Sequence, residues 1–255
     1  MNLSVFIPGL AQTQSVPVLF WLSGLACNED HFMSKSGVQR YADQHGIMIV
    51  CPDTSPRHTG LPGENDRWDF GTGAGFYVNA TVEPWSRHYQ MYDYVIKELP
   101  DLITKHFPAD MNRLSISGHS MGGHGAMVMA LREPNMFRSV SAFAPLGSAS
   151  QCGLGQNAFR HYLGADRSEW LKYDASELIK SAQHPVPLLV DQGLKDEFLA
   201  DELKIDLLKE SCRKSNYPAT IRFHEDYDHS YYFVASFIED HIQFHSQHLN
   251  SSCRN

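Results

Sequence analysis

Five residues, Gly118-His119-Ser120-Met121-Gly122, constrain this 255-residue chain more than any other stretch. An apolar run at 114–117 precedes them and a run of helical period at 122–132 follows. A serine flanked by glycines two before and two after it, set between a strand and a helix, has the pattern of a nucleophile elbow. The turn strains the serine backbone and brings strand and helix so close that the flanking positions have little room for a side chain. A glycine-rich connection with a serine capping the helix is the plainer alternative. The strand before and the helix after weigh against it.

Along the chain, short apolar runs alternate with longer stretches whose apolar residues recur every three or four positions. This predicts a mostly parallel sheet with helices on both faces. Strands are expected at 3–7, 18–22, 47–51, 114–117, 139–144, 188–191 and 220–223, and helices at 32–45, 85–106, 122–132, 201–215 and 231–248. With the elbow at the end of the fourth strand, the pattern is an α/β-hydrolase fold without a large cap domain, one domain over residues 1–255. Two stretches, 54–84 and 147–185, depart from the alternation and are expected to wall the site.

With 42% hydrophobic and 20% charged residues the chain can bury a full core. Its net charge of -8 offers no basic excess for phosphates, which argues against a nucleic acid or an anionic membrane as partner. The five cysteines, Cys27, Cys51, Cys152, Cys212 and Cys253, are odd in number and form no Cys-x-x-Cys pair, so neither a disulfide framework nor a zinc knuckle is suggested. No apolar run approaches the roughly 18 residues of a membrane span, and no basic segment with an apolar core opens the chain. A soluble protein of the reducing cytoplasm is expected.

A serine hydroxyl is a weak nucleophile at neutral pH and needs a base, which in turn needs a partner that fixes its tautomer. In this fold the order along the chain is serine, acid, histidine. His229 lies after the last expected strand and before the last helix, and His224, at the strand end, is the weaker candidate. The acid must come from the loop after 188–191, where Asp196 is the first choice and Asp191 the fallback. The tetrahedral oxyanion needs two N–H donors, one from the residue after the nucleophile and one from the loop after an early strand. Met121 supplies the first, and Leu25, beside Gly24, the second.

These residues carry a resemblance. The chain is similar to the S-formylglutathione hydrolase (esterase D) family of α/β hydrolases in Trp21-Leu22-Ser23-Gly24-Leu25-Ala26-Cys27, Pro52-Asp53-Thr54-Ser55-Pro56-Arg57, Gly73-Ala74-Gly75-Phe76-Tyr77-Val78-Asn79-Ala80-Thr81 and Pro84-Trp85. It is similar again in Ser117-Gly118-His119-Ser120-Met121-Gly122-Gly123-His124-Gly125, in Asp191-Gln192-Gly193 with Asp196, and in Tyr227-Asp228-His229-Ser230-Tyr231-Tyr232-Phe233. The resemblance implies a triad of Ser120, Asp196 and His229, hydrolysis of S-formylglutathione to glutathione and formate, no cofactor, and a homodimer. It also implies that Cys27 lies near the nucleophile, where thiol reagents or thiophilic metals would block the site. A general carboxylesterase for short acyl esters shares every catalytic residue and is the second reading; a silent binding domain would have no use for elbow, acid and histidine together.

The chain departs from the family at three places. Members usually carry an additional N-terminal segment, whereas this chain opens in what would be a later strand, at Met1-Asn2-Leu3-Ser4-Val5. The stretch 147–157 has no match. The family commonly has glycine where Asp226 stands, and this carboxylate is expected to raise the pKa of His229. Gly71-Thr72-Gly73-Ala74-Gly75-Phe76 lacks the last glycine and the strand context of a dinucleotide loop and reads as a site loop. His241, His245 and His248 share one helix face and are expected to be solvated rather than to bind metal, because the adjacent glutamate of the metalloprotease motif is missing. Trp85 is a candidate pocket wall, with burial in the core the more frequent outcome for such a residue. Arg57, Arg67, Arg87 and Lys195 are candidates to meet the carboxylates of glutathione.

Overall fold

The computed structural model describes residues 1–251; Cys253 lies outside the described residues. One sheet holds seven strands: β1 (Leu3–Phe6), β2 (Val16–Leu22), β3 (Met48–Pro52), β4 (Ala109–His119), β5 (Val140–Phe143), β6 (Leu188–Gly193) and β7 (Ala219–His224). Their order is β1-β3-β2-β4-β5-β6-β7, with β1 antiparallel to β3 and every other pair parallel. This is the α/β-hydrolase arrangement expected from the alternation of apolar runs. β2, β3, β5 and β6 are buried along their whole length, which is why they read as unbroken apolar runs. Phe20, Trp21 and Leu22 of β2 have no exposed surface, and each such side chain contributes roughly 1.5–3 kcal/mol.

The helices depart in detail from their expected spans. The run 32–45 is two helices, Glu29–Lys35 and Val38–His45, because Gly37 between them takes φ 69°. The run 85–106 begins with a short turn, Trp85–Arg87, and carries a π-helical turn at Tyr94–Glu98 before the regular helix Leu99–His106. The stretch 147–185 carries small helices of its own, Gly153–Leu163, Arg167–Leu171 and Ala175–Ile179.

The largest correction concerns the last helix, Tyr231–Leu249. His241 and His245 are 1% and 0% exposed, not solvated. Beneath them, β4 and β5 present paired serines, Ser115 with Ser139 and Ser117 with Ser141, each pair 2.8 Å apart. His245 reaches Ser139 with Nδ1 and Ser141 with Nε2, both at 2.8 Å, and His241 Nδ1 reaches Ser141 at 2.9 Å. Four residues of helix rise about 6 Å and two of strand about 6.6 Å, so the i,i+4 histidines match the i,i+2 serines. Burial lowers the pKa of both histidines, against a partial rise at His241 from Asp191. His248 is half-buried against Phe244.

Candidate active site

β4 ends at His119 and the helix Met121–Arg132 begins directly after Ser120. Ser120 takes φ 57°, ψ -122°, a conformation that side-chain-bearing residues rarely adopt, and its N–H is held by the Phe143 carbonyl at 2.9 Å. A Cβ on Gly118 would strike the Gly122 and Leu22 carbonyls, and one on Gly122 the carbonyls of Leu22 and Ser23. The two glycines are therefore steric requirements of the crossing between β2, β4 and the helix.

Asp196 follows β6 and His229 follows β7. The two loops are tied backbone to backbone, Leu194 N–H to the His224 carbonyl and Lys195 N–H to the Tyr227 carbonyl, both at 2.9 Å. Asp196 Oδ2 accepts from His229 Nδ1 at 2.6 Å and from Gln192 Nε2 at 3.2 Å, while Oδ1 accepts the Phe198 N–H at 2.8 Å. The Asp196 side chain is fully buried and that of His229 is 13% exposed. Asp191, the fallback acid, turns instead to Arg222, whose Nε and Nη2 donate to its carboxylate at 2.6 Å. Burial pushes the Asp191 carboxyl up, but hydrogen bonds from His241 and Arg222 outweigh it and hold it far below the ordinary range. His224 lies against Phe237 and Asp191, away from Asp196.

Ser120, His229, Gly24, Leu25, Cys27, His119, Trp68, Leu146, Leu154, Phe198 and Leu203 line one cavity of ≈ 130 Å³. No hydrogen bond joins Ser120 Oγ to the His229 ring among the described residues, as is common before substrate binds. Met121 opens its helix, so its N–H has no intrahelical acceptor. On the facing loop, Ala26 N–H goes to the Gly73 carbonyl and Cys27 N–H to that of Gly24, while Leu25 N–H has no partner among the described residues. A Cβ on Gly24 would sit 3.1 Å from Ser120 Cβ, which places this loop against the serine.

The long family-like segments hold that loop in place. Arg57 is paired with Asp53 and donates to the Cys27 carbonyl at 2.9 Å; Thr54 Oγ1 donates to the same carbonyl at 2.6 Å, and Tyr77 Oη to the Ser23 carbonyl at 2.8 Å. Arg57 therefore buttresses the loop and does not line the cavity. Lys195 is exposed and paired with Asp226 at 2.6 Å, Arg67 is paired with Asp69 and Arg87 with Glu83. Trp85 is not a cavity wall: it is buried among Phe70, Tyr89 and Tyr162. Cys27 does line the cavity, and burial pushes its thiol pKa up. Trp68, 56% exposed, and the apolar wall Leu146, Leu154, Phe198 and Leu203 went unrecognised in the sequence, because they arrive from separate segments, Phe198 and Leu203 alone sharing one, the turn Leu199–Leu203 that Phe198 caps.

Sheet order, elbow and cavity define the class: a hydrolase of the α/β type built around an elbow serine. The esterase family model ("Putative esterase") matches residues 1–244. The S-formylglutathione hydrolase of Rattus norvegicus is 51% identical over 253 residues, 98% of this chain and 90% of the rat protein. The solved structure of an S-formylglutathione hydrolase from Agrobacterium tumefaciens superposes with a TM-score of 0.94 at 47% identity, over 97% of this chain and 90% of that one. The fluorophosphonate-binding serine hydrolase F of Staphylococcus aureus, 20% identical with a TM-score of 0.75 over 96% and 92% of the two chains, shares the fold. The chain belongs to this esterase family, in the branch of the S-formylglutathione hydrolases. No helix among the described residues is long and apolar enough to cross a membrane.

Proposed function

We propose that residues 1–255 form one domain that hydrolyses S-formylglutathione to glutathione and formate. The observation that carries the mechanism is the buried 2.6 Å contact of His229 Nδ1 with Asp196, at the cavity into which Ser120 opens. Ser120 Oγ attacks the formyl carbon while His229 takes its proton on Nε2, and Asp196 stabilises the imidazolium. The N–H groups of Leu25 and Met121 hold the oxyanion. Collapse breaks the C–S bond, His229 returns the proton to the departing glutathione thiolate, and a formyl ester remains on Ser120. Water, deprotonated by His229, then releases formate and restores the serine.

Two settings complete the proposal. The four described cysteines are all free, in keeping with a reducing cytoplasm. Homodimer formation follows from the family resemblance.

The test is steady-state turnover of S-formylglutathione beside p-nitrophenyl acetate, in the parent and in Ser120→Ala. A far larger kcat/KM for the thioester, with both activities lost in the variant, is the expected result. Turnover of the ester alone would leave a general carboxylesterase, a reading the apolar cavity wall also suits.

A further inference from the structure

S-formylglutathione carries two carboxylates on its leaving group, and this chain has a net charge of -8. An anionic substrate therefore needs a local cation at the cavity rim. Arg57, Arg67, Arg87 and Lys195 are each already paired with a carboxylate of the chain. None of them lines the cavity, whose wall holds no lysine or arginine among the described residues.

Lys35 is placed differently. It ends the helix Glu29–Lys35, whose N-cap Asn28 directly follows the cavity-lining Cys27. Its Nζ stands 5.7 Å from the Tyr231 ring centroid, and that ring lies 5.5 Å from the ring of His119, another cavity wall. Among the described residues no carboxylate lies within ion-pair distance of Lys35, which is exposed. The Tyr231 hydroxyl is buried and faces the Cys27 thiol. The field of Lys35 reaches the cavity: burial pushes the Cys27 thiol up, and the Tyr231 hydroxyl, then the Lys35 ammonium, pull it part of the way back.

We propose that Lys35 determines specificity by receiving a carboxylate of the glutathionyl leaving group at the cavity rim, with Tyr231 beside it. This rests on the S-formylglutathione reading and adds to it the residue that separates an anionic thioester from a neutral ester. A lysine in the last turn also complements the helix dipole, a purely structural role that would not distinguish substrates.

The experiment compares kcat/KM for S-formylglutathione with kcat/KM for p-nitrophenyl acetate in the parent, Lys35→Gln, Lys35→Glu and Lys35→Arg, at low and high sodium chloride. In Lys35→Gln the thioester-to-ester ratio is expected to fall about 5-fold, through KM, with a further fall in Lys35→Glu and recovery in Lys35→Arg. Added salt is expected to lower the ratio in the parent and leave Lys35→Gln nearly flat. An unchanged ratio in Lys35→Gln, or equal losses on both substrates together with a lowered Tm, overturns the inference while leaving the proposed function intact. A parent inactive on the thioester overturns the proposed function, and the inference with it.

Discussion

Asp196 holds His229 through one carboxylate oxygen and its own loop through the other: Oδ2 meets Nδ1 at 2.6 Å and Oδ1 takes the Phe198 N–H at 2.8 Å. In Asp196→Asn the amide oxygen can keep the loop contact, which leaves an NH₂ group facing Nδ1 and favours the wrong tautomer. Loss of about 10⁴ in kcat is expected, with a Tm close to that of the parent. Pre-steady-state kinetics with p-nitrophenyl acetate, read beside a thermal melt, checks both halves.

Gly122→Ala acts on the scaffold. Its Cβ would overlap the Leu22 carbonyl, a backbone atom of the central strand β2 that cannot move without shifting the sheet. A loss of about 3 kcal/mol or more is expected, or a Tm lower by roughly 6–12 °C, with activity lost as well. A melt within 2 °C of the parent would contradict the close crossing.

Gly24→Ala is expected to be milder for stability and severe for rate. The new Cβ would lie 3.1 Å from Ser120 Cβ and 3.3 Å from the His119 carbonyl, so the loop carrying the Leu25 N–H must retreat by a few tenths of an ångström. A fall in kcat of about 10–100-fold follows if that N–H meets the oxyanion. Leu25→Ala keeps the backbone donor and should cost less than about 10-fold. Measuring kcat for the two variants side by side ranks backbone against side chain.

How much was legible in the sequence follows from where each signal lies. The inner strands showed as apolar runs because they are buried and the edge strands β1 and β7 are only partly so, yet β4 extends back to Ala109 through Asp110–Arg113, a polar, partly exposed half that periodicity cannot see. Elbow, acid and histidine were readable because fold order fixes them along the chain. Arg57 was visible as a charge, but its partner Asp53 and the Cys27 carbonyl it supports are tertiary facts. The face shared by His241 and His245 was also visible. Its meaning depended on serines 139 and 141, which alternate with apolar residues on a strand a hundred positions away.

Asp226, where the resemblance leads to an expectation of glycine, takes φ 64°, a conformation glycine adopts without strain. Its side chain pairs with Lys195 in solvent, with 79% and 67% of the two side chains exposed. Lys195 thus balances the carboxylate's charge within an exposed pair. Asp226→Gly should give a pH–rate profile that coincides with the parent's and a Tm higher by about 1–2 °C. A displaced acid limb would show that the carboxylate does act on the base.

The buried histidines give stability a defined pH dependence. His245 sits between Ser139 and Ser141 with no exposed surface, and burial, aided by His241 and His248, holds its folded-state pKa well below that of an unfolded histidine, about 6.5. Below pH 6.5 the unfolded chain therefore binds a proton that the folded chain refuses. The stability this residue contributes is full above that pH and is lost as the pH falls. The expected slope is about 1.4 kcal/mol per pH unit for each such histidine. Denaturant melts at pH 7.5, 6.0 and 5.0 should show stability falling on acidification. His245→Gln keeps an amide that can bond one of the serines and cannot titrate, so it should be less stable at pH 7.5 but flatter by about 1.4 kcal/mol per unit below pH 6. Parallel slopes in parent and variant would mean that His245 takes up its proton in the folded state, and that the serine pair tolerates an imidazolium.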